Sequence, residues 1–265
     1  MLRKGREYNM SKVIAIANQK GGVAKTTSTF NISYVLSEMG YKVLMVDLDP
    51  QASLTIACGI EPLDIEKNIF NALQRKSSDY IPIEECIIKK GNIDFLTSSI
   101  DLASLEMEML CWTSREHCLE RCLARIRDNY DYILIDCPPQ LSILTINGLT
   151  ASDYILIPCK TDYLSYRGLE NLLDTVEEVQ ELLNPRLKVI GIMATLYDKR
   201  IKDDVEVYEL LKQKYGDTYG ILETIKLLAA AKKGVCEGIS TVEKYPNSDI
   251  STAYKQVAKR ITELK

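Results

Sequence analysis

The stretch at residues 18–27, which reads Asn-Gln-Lys-Gly-Gly-Val-Ala-Lys-Thr-Thr, constrains the fold of this chain more than any other segment. An apolar run at residues 13–17 precedes it and has the length of a buried strand. Residues 28–39 follow with apolar side chains at helical spacing, and Gly40 is a suitable stop for that helix. This order of strand, glycine-rich turn and helix predicts a phosphate-binding loop, because backbone N–H groups and the positive end of the helix face an anion there.

Two side chains in this loop carry the chemistry of a nucleotide site. Lys25 is placed to reach the β- and γ-phosphates, and the Thr26 hydroxyl is placed to bind Mg²⁺. The general pattern of such loops has glycine at both ends of a four-residue gap, where this chain has Gln19 and Ala24. Alanine keeps a Cβ atom, so we expect the close approach of a phosphate to be tolerated provided that φ of Ala24 is negative.

Two further apolar runs end in carboxylates. Residues 43–46 lead into Asp47, and residues 132–135 lead into Asp136. A carboxylate at the C-terminal end of a parallel strand lies where α/β sheets bind ligands, so we expect Asp136 to hold the Mg²⁺ shell through water. The simpler alternatives are that the residues after Asp47 only open a turn and that Asp136 only caps a helix.

The alternation of strands and helices along the chain predicts the fold class. Residues 52–90 have the pattern of short helical pieces. Right-handed βαβ crossovers make this an α/β fold, with a mostly parallel twisted sheet and helices on both faces. One domain at residues 10–265 accounts for the chain, after a loose extension at residues 1–9. The remaining predicted elements are strands at residues 93–96, 154–158 and 189–195, and helices at residues 141–150, 166–183 and 203–215, the last stopped by Gly216.

Composition limits the classes of function. The formal net charge is −4, so the protein is not a general polyanion binder, and any nucleic-acid surface must be a local patch. Eight cysteines without Cys-x-x-Cys spacing indicate reduced thiols in a cytoplasmic protein. No apolar run approaches the roughly 20 residues that span a bilayer, and no membrane partner is expected.

These motifs together resemble those of the ParA/MinD family, whose deviant Walker A pattern is K-G-G-x-x-K-[ST]. Asp47 begins a segment similar to the switch I motif Asp-x-Asp-Pro-Gln, and Asp136 begins one similar to the switch II motif Asp-x-Pro-Pro. The resemblance to the ParA branch runs from about residue 12 to the C-terminus. It implies a P-loop NTPase of the deviant Walker A type, and a Mg²⁺-dependent ATPase with ATP and Mg²⁺ as cofactors. The implied nucleotide contacts are Lys20, Gly21, Gly22, Val23, Ala24, Lys25, Thr26 and Thr27.

The resemblance also implies roles for individual side chains. Lys20 is implied to be the signature lysine that reaches the nucleotide of a partner subunit, which makes a homodimer depend on ATP. Asp47 is implied to help position the attacking water and the Mg²⁺ shell. The catalytic residues are then Lys20, Asp47 and Asp136, and the metal-binding residues are Thr26, Asp47 and Asp136. The alternative for Lys20 is a surface lysine that flanks a turn.

In this family the ATP-bound dimer binds DNA non-specifically, and a ParB-like activator stimulates the hydrolysis that releases it. The resemblance therefore implies a switch ATPase for partition of a plasmid, chromosome or other DNA cargo, cytoplasmic and nucleoid-associated when ATP is bound. We expect contacts to phosphates without base readout. For each candidate contact an ordinary solvated surface is an equal alternative. The candidates are Arg200, Lys202, Lys226, Lys232 and Lys233.

Three other functions on the same fold stay open. A MinD-like membrane switch or other cargo-positioning ATPase of that type needs a C-terminal amphipathic anchor, but we expect the apolar stripe within residues 250–264 to dock on the sheet. An electron-transfer ATPase similar to nitrogenase iron protein needs cluster cysteines, and Cys137 has the wrong spacing for one. A metabolic enzyme similar to dethiobiotin synthetase would be distinguished by ATP turnover that requires a small carboxylated substrate.

Overall fold

A single sheet of eight strands runs through the part of the chain that the structure describes. The structure is a computed structural model, and it describes residues 11–75, 78–90, 93–226 and 238–264. The strands are β1 (Lys12–Ile16), β2 (Val43–Asp47), β3 (Ile87–Lys90), β4 (Ile93–Leu96), β5 (Tyr132–Asp136), β6 (Tyr154–Lys160), β7 (Lys188–Tyr197) and β8 (Ile225–Lys226). Their order in the sheet is β3-β4-β2-β5-β1-β6-β7-β8, and of these strands β3 alone is antiparallel to its neighbour.

Helices cover both faces of this sheet, as the sequence predicts. The helices of the described residues are α1 (Lys25–Glu38), α2 (Ser53–Ala57), α3 (Ile69–Leu73), α4 (Leu102–Met109), α5 (Cys118–Ala124), α6 (Ile143–Thr150), α7 (Tyr163–Leu182), α8 (Lys202–Tyr219), α9 (Thr241–Lys244) and α10 (Asp249–Thr262). Short 3₁₀ helices lie at Pro62–Asp64, Ile83–Glu85, Arg115–His117 and Arg127–Asn129.

Two large apolar cores flank the central strands, and a smaller third cluster contains the buried apolar residues of α2. Buried side chains of α1, α9 and α10 form one core, and those of α3 to α8 form the other. Within β5, Leu134 belongs to the first core, whereas Ile133 and Ile135 belong to the second, because alternate residues of a strand point to opposite faces. Burial on both faces explains why the central strands are nearly continuous apolar runs.

Strand register brings the loop and the acidic residues to one edge of the sheet. Strand β1 lies between β5 and β6, and its last residue, Ile16, pairs with Asp136 of β5. On the other side of β5, Asp47 is the last residue of β2 and pairs directly with the same Asp136. The carboxyl ends of these parallel strands therefore meet beside the loop that follows β1.

Helix α10 docks on the sheet through its apolar face, as expected. Ile250, Tyr254, Val257 and Ile261 are buried against α1 and the central strands. The Tyr254 hydroxyl lies 3.2 Å from Oγ of Ser28 in α1. Within the described ranges, no helix combines the length and the apolar content needed to cross a membrane.

Some element boundaries differ from the prediction for local reasons. Helix α1 begins at Lys25, three residues earlier than predicted, because the loop turns directly into the helix. Helix α8 passes through Gly216, so the predicted stop is wrong, and it ends before Gly220, whose φ of +78° suits glycine. Residues 52–90 contain the predicted helical pieces and also the edge strand β3, which lacks the pattern of a central strand because Ile87 and Ile88 are half-buried and Lys89 is exposed.

Candidate nucleotide-binding and hydrolysis site

The predicted phosphate loop joins the end of β1 to the start of α1. The predicted nucleotide contacts from Lys20 to Ala24 lie in this loop, and those from Lys25 to Thr27 form the first turn of α1. Gly22 has a φ of +71°, and a Cβ atom built there would have no neighbour within 4 Å. Thr195 of β7 supports the loop from the sheet, since its hydroxyl donates to the carbonyl oxygen of Val23 over 3.0 Å. The exposed glycine backbone is therefore accessible to an anion.

Ala24 adopts a left-handed conformation, so the negative φ on which we made tolerance of a close phosphate conditional is not found. Its φ is 66° and its ψ is 31°, immediately before Lys25 opens α1, so the turn into the helix is completed at Ala24. The carbonyl oxygen of Ala24 accepts hydrogen bonds from N and Oγ of Ser28, at 2.9 and 2.7 Å. A left-handed residue with a side chain costs roughly 1–2 kcal/mol, so the loop is locally strained where the general pattern has glycine.

Lys25 folds back over this loop. Its Nζ donates a hydrogen bond of 3.0 Å to the carbonyl oxygen of Lys20, and its side chain is buried. Burial lowers the pKa of Lys25, and the nearby carboxyl of Asp136 opposes part of that shift. The ammonium group is thus held at the mouth of the loop, where it can neutralise a bound phosphate.

The two acids are buried side by side next to Thr26. The Thr26 hydroxyl donates to Oδ2 of Asp136 over 2.6 Å. Burial, with a contribution from the charge of Asp47, raises the pKa of Asp136 well above its usual value. Burial also raises the pKa of Asp47, to about 6. Both shifts would be relieved by a divalent cation, and hydroxyl and carboxylate oxygens are the ligands that Mg²⁺ prefers, so this donor set fits the expected metal.

Thr55 is a site residue that the sequence does not reveal. Its backbone N and its Oγ1 each donate to Oδ2 of Asp47 at 2.8 Å, and the N–H of Asp49 donates to Oδ1 at 3.2 Å. Oγ1 of Thr55 also accepts a hydrogen bond of 3.1 Å from the N–H of Ser98, after β4. Helix α2 therefore fixes the orientation of the Asp47 carboxylate, and this depends on tertiary packing that no motif records.

The entry to the loop is held against helix α7. The N–H of Lys20 donates to Oδ1 of Asn18 over 2.9 Å, and Nε2 of Gln19 donates to the carbonyl oxygen of Gly168 over 2.5 Å. A Cβ atom added to Gly168 would lie 3.3 Å from Cε of Lys20, so the lysine stem runs along the helix. Among the described residues, Nζ of Lys20 has no hydrogen-bond or ion-pair partner.

A cavity of about 330 Å³ adjoins the hydroxyl end of the loop. Thr26 and Thr27 form one wall, and Phe30, Ile56 and Ile239 are among the apolar residues of the others. Pockets with mostly apolar walls and a few polar groups are typical of small-molecule sites. This cavity beside the loop can therefore hold the part of a ligand that extends beyond its phosphates.

Three of the five predicted DNA contacts lie near the same edge of the sheet. Lys226 of β8 pairs in register with Tyr197 of β7, which places it at the same edge as Arg200 and Lys202. Two of these cations are paired with acids, because Arg200 bonds Asp198 at 2.6 Å and Lys226 bonds Asp249 at 2.5 Å. The other two candidates, Lys232 and Lys233, lie outside the described residues.

The cysteines of the described ranges form no disulfide bonds. Cys137 directly follows Asp136 but is buried, and burial raises the pKa of its thiol. Its Sγ packs under Gly148, where an added Cβ would meet it at 2.9 Å. Cys137 is therefore a packing residue next to the site. These cysteines are Cys58, Cys86, Cys111, Cys118, Cys122, Cys137 and Cys159.

Comparisons with known proteins agree with this geometry. A family model described as an AAA domain matches residues 11–189. The sporulation initiation inhibitor protein Soj of Bacillus subtilis is 43% identical over 208 residues, which cover 78% of this chain and 81% of Soj. The chromosome partitioning protein ParA of Caulobacter vibrioides is 35% identical over 213 residues, which cover 79% of this chain and 78% of ParA. The chain belongs to the ParA/MinD family of P-loop ATPases.

A solved structure extends the ParA/MinD comparison to nearly the whole chain. The cobyrinic acid a,c-diamide synthase of Mycobacterium smegmatis, with bound ADP and magnesium, is 33% identical with a TM-score of 0.81. The match covers 96% of this chain and 95% of that one. The predicted fold and the predicted ATPase class are thereby confirmed, and the expected cofactors agree with the ligands of that neighbour.

Proposed function

We propose that this ParA/MinD-family ATPase is an ATP-dependent dimerising switch for the partition of a plasmid, chromosome or other DNA cargo. Its similarity to Soj and ParA supports partition or positioning as the general role. The observation that carries the finer proposal is Lys20, whose Nζ has no partner among the described residues while its backbone is fixed. Such a cation is available for a second subunit.

The residues of one subunit have separate roles in the proposed hydrolysis of ATP. Lys25, held at the mouth of the loop, would neutralise the phosphates, and Thr26 with Asp136 would hold the shell of a bound Mg²⁺. Asp47, oriented by Thr55, accepts a hydrogen bond from the attacking water and directs it. Bound Mg²⁺ supplies charge stabilisation at the transferred phosphoryl group. Catalysis then rests mainly on positioning and electrostatics.

The surroundings of Lys20 suit a second copy of the chain. Tyr163 and Leu164, in the first turn of α7, have exposed fractions of 58% and 69%. Ile100, which follows β4 at the same edge of the sheet, is 61% exposed. Apolar side chains around a nucleotide face favour association, and a lysine that enters a water-poor interface interacts strongly with phosphate there. Dimerisation through this edge places Lys20 against the nucleotide of the partner subunit.

Lys20→Ala tests this mechanism. Monomeric ATP binding should persist through Lys25 and Thr26, whereas dimerisation with a slowly hydrolysed ATP analogue should weaken by about thirtyfold or more, because a buried charge pair is lost. Static light scattering measures the dimer, and Lys188→Ala, an exposed lysine at the start of β7, is the matched control. A Lys20→Ala protein that dimerises and hydrolyses ATP normally would place Lys20 on a solvated surface and refute the proposal.

The ATP dimer is proposed to bind DNA through the basic edge that includes Arg200, Lys202 and Lys226, with Lys232 and Lys233 beyond the described residues. Co-sedimentation with DNA should require ATP, ignore base sequence and fall steeply with salt, because counterion release drives such binding. Reversal of Lys232 and Lys233 to Glu should weaken it for all sequences alike. A ParB-like activator would stimulate hydrolysis, and nucleoid association in cells would follow the ATP state.

A metabolic ATPase is the second candidate, because the Mycobacterium smegmatis neighbour is a cobyrinic acid a,c-diamide synthase at 33% identity. An enzyme of that kind would hydrolyse ATP only with a small carboxylated substrate and would not respond to DNA. ATPase assays with DNA alone, and with cobyrinic acid and an amide donor alone, separate the two candidates. Turnover that requires the small substrate would favour the synthase.

A further inference from the structure

Gly168 is an unexpected residue at its position in helix α7. It is buried in the second turn of a 20-residue helix, where glycine costs about 1 kcal/mol relative to alanine. Its φ is not positive, so the backbone conformation does not require glycine. A reason must therefore lie in the space that its missing side chain leaves.

The loop entry fills that space. A Cβ atom on Gly168 would lie 2.8 Å from Nε2 of Gln19 and 3.3 Å from Cε of Lys20. Nε2 of Gln19 also donates to the carbonyl oxygen of Gly168 itself. The first distance is shorter than Cβ contacts in folded proteins allow, so a side chain at this position would push Gln19 away from the helix and displace the Lys20 stem above it.

We propose that Gly168 is a positioning residue, which acts through Gln19 to set the direction in which Lys20 leaves the loop. The inference rests on the proposed function, because it assigns Lys20 to the nucleotide of a second subunit. Within one subunit, the phosphates are served by Lys25, whose bond to the Lys20 carbonyl does not involve the Lys20 side chain. A change at residue 168 should therefore affect dimerisation without affecting monomeric nucleotide binding.

Gly168→Ala tests this assignment, and alanine should not weaken helix α7 itself because it is the better helix former. We expect ATP-analogue-dependent dimerisation to fall by about tenfold or more, since small displacements of a positioned group have effects of that size. Monomer affinity for the analogue should stay within about twofold. Gly216→Ala is the matched control, because that glycine lies inside helix α8 with nothing within 4 Å of its Cβ position. It should change neither quantity.

A double-mutant cycle with Gln19→Ala separates the contact from a general effect of the helix. In the Gln19→Ala background, Gly168→Ala should cause a smaller further loss of dimerisation than in the wild type, because the 2.8 Å contact no longer exists and only the 3.3 Å approach to Cε of Lys20 remains. Three results would overturn the inference. They are an equal loss of dimerisation in both backgrounds, normal dimerisation of Gly168→Ala, and a parallel loss of monomer binding to the analogue. If Lys20→Ala itself dimerises normally, the proposed function is refuted. If Lys20→Ala does not dimerise but Gly168→Ala dimerises normally, only the role of Gly168 is refuted.

Discussion

Ala24 in the phosphate loop and Thr55 in helix α2 each affect the nucleotide site through a contact or a backbone conformation that the residue type alone does not predict. Ala24 holds a left-handed backbone that glycine would adopt without strain. Thr55 holds the carboxylate of Asp47 with two hydrogen bonds. Single substitutions at Ala24 and at Thr55 measure the two effects separately.

Ala24→Gly should stabilise the folded protein by about 0.5–1 kcal/mol, because relief of the left-handed strain exceeds the added freedom of glycine in the unfolded chain. Ala24→Val should destabilise it, since a β-branched side chain tolerates this conformation poorly. Urea unfolding measures both. Ala52→Gly is the control, because Ala52 has a φ of 51° outside the loop and should respond in the same direction. A clear loss of stability in Ala24→Gly would contradict the left-handed assignment.

Thr55→Val keeps the shape of the side chain and removes its hydroxyl. We expect ATP hydrolysis to slow by about tenfold while nucleotide binding is retained, because Asp47 loses one of the bonds that orient it. Thr55→Ser restores the hydroxyl and should recover most of the rate. Single-turnover hydrolysis and equilibrium binding measure the two effects. Equal rates for Thr55→Val and Thr55→Ser would show that the hydroxyl does not position Asp47.

At the scale of elements, the sequence was informative where burial or motif chemistry was strong. The central strands and the loop were predicted because apolar runs end at Asp47 and Asp136, and the register then confirmed that these runs are neighbours. The edge strands were not fully predicted: β3 is half-buried and β8 has two residues, so neither leaves a clear pattern. Contacts such as that of Thr55 with Asp47 depend on tertiary packing, which leaves no local pattern in a single sequence.

Helix α10 offers a test of docking at the same scale. Tyr254→Ala should destabilise the protein by about 3–5 kcal/mol, because a fully buried aromatic side chain leaves a cavity between α10 and α1. Gln256→Ala, exposed on the same helix, should have little effect. Urea unfolding measures both, and sedimentation with anionic vesicles checks for a membrane role of α10. Similar stability of the two variants, or vesicle binding by the wild type, would contradict a docked helix.

At the scale of the whole molecule, the buried acids make stability depend on pH. Asp47 has a pKa raised to about 6 in the folded protein, above the value of about 4 for an unfolded chain. Between these values the folded state holds a proton that the unfolded state has lost, so the free energy of unfolding falls as pH rises through this window. The pKa of Asp136 is raised in the same direction.

Titration of these two acids should therefore lower the free energy of unfolding of the nucleotide-free protein by about 1–3 kcal/mol between pH 4.5 and pH 7. Urea midpoints across that range measure the effect, and Asp47→Asn should reduce the dependence on pH because one of the two titrating acids is gone. Magnesium with ATP should reduce it in the wild type. A nucleotide-free wild type whose stability rises with pH in this window would contradict the burial of an uncompensated carboxylate.

The direct pairing of Asp47 with Asp136 at the ends of β2 and β5 also bears on the life of the protein in a cell. Two adjacent buried carboxylates are tolerated best when a cation neutralises them, so empty copies unfold more often than loaded copies. Quality-control proteases act on the unfolded fraction and therefore remove empty copies first. The amount of this protein would then follow the supply of ATP and Mg²⁺.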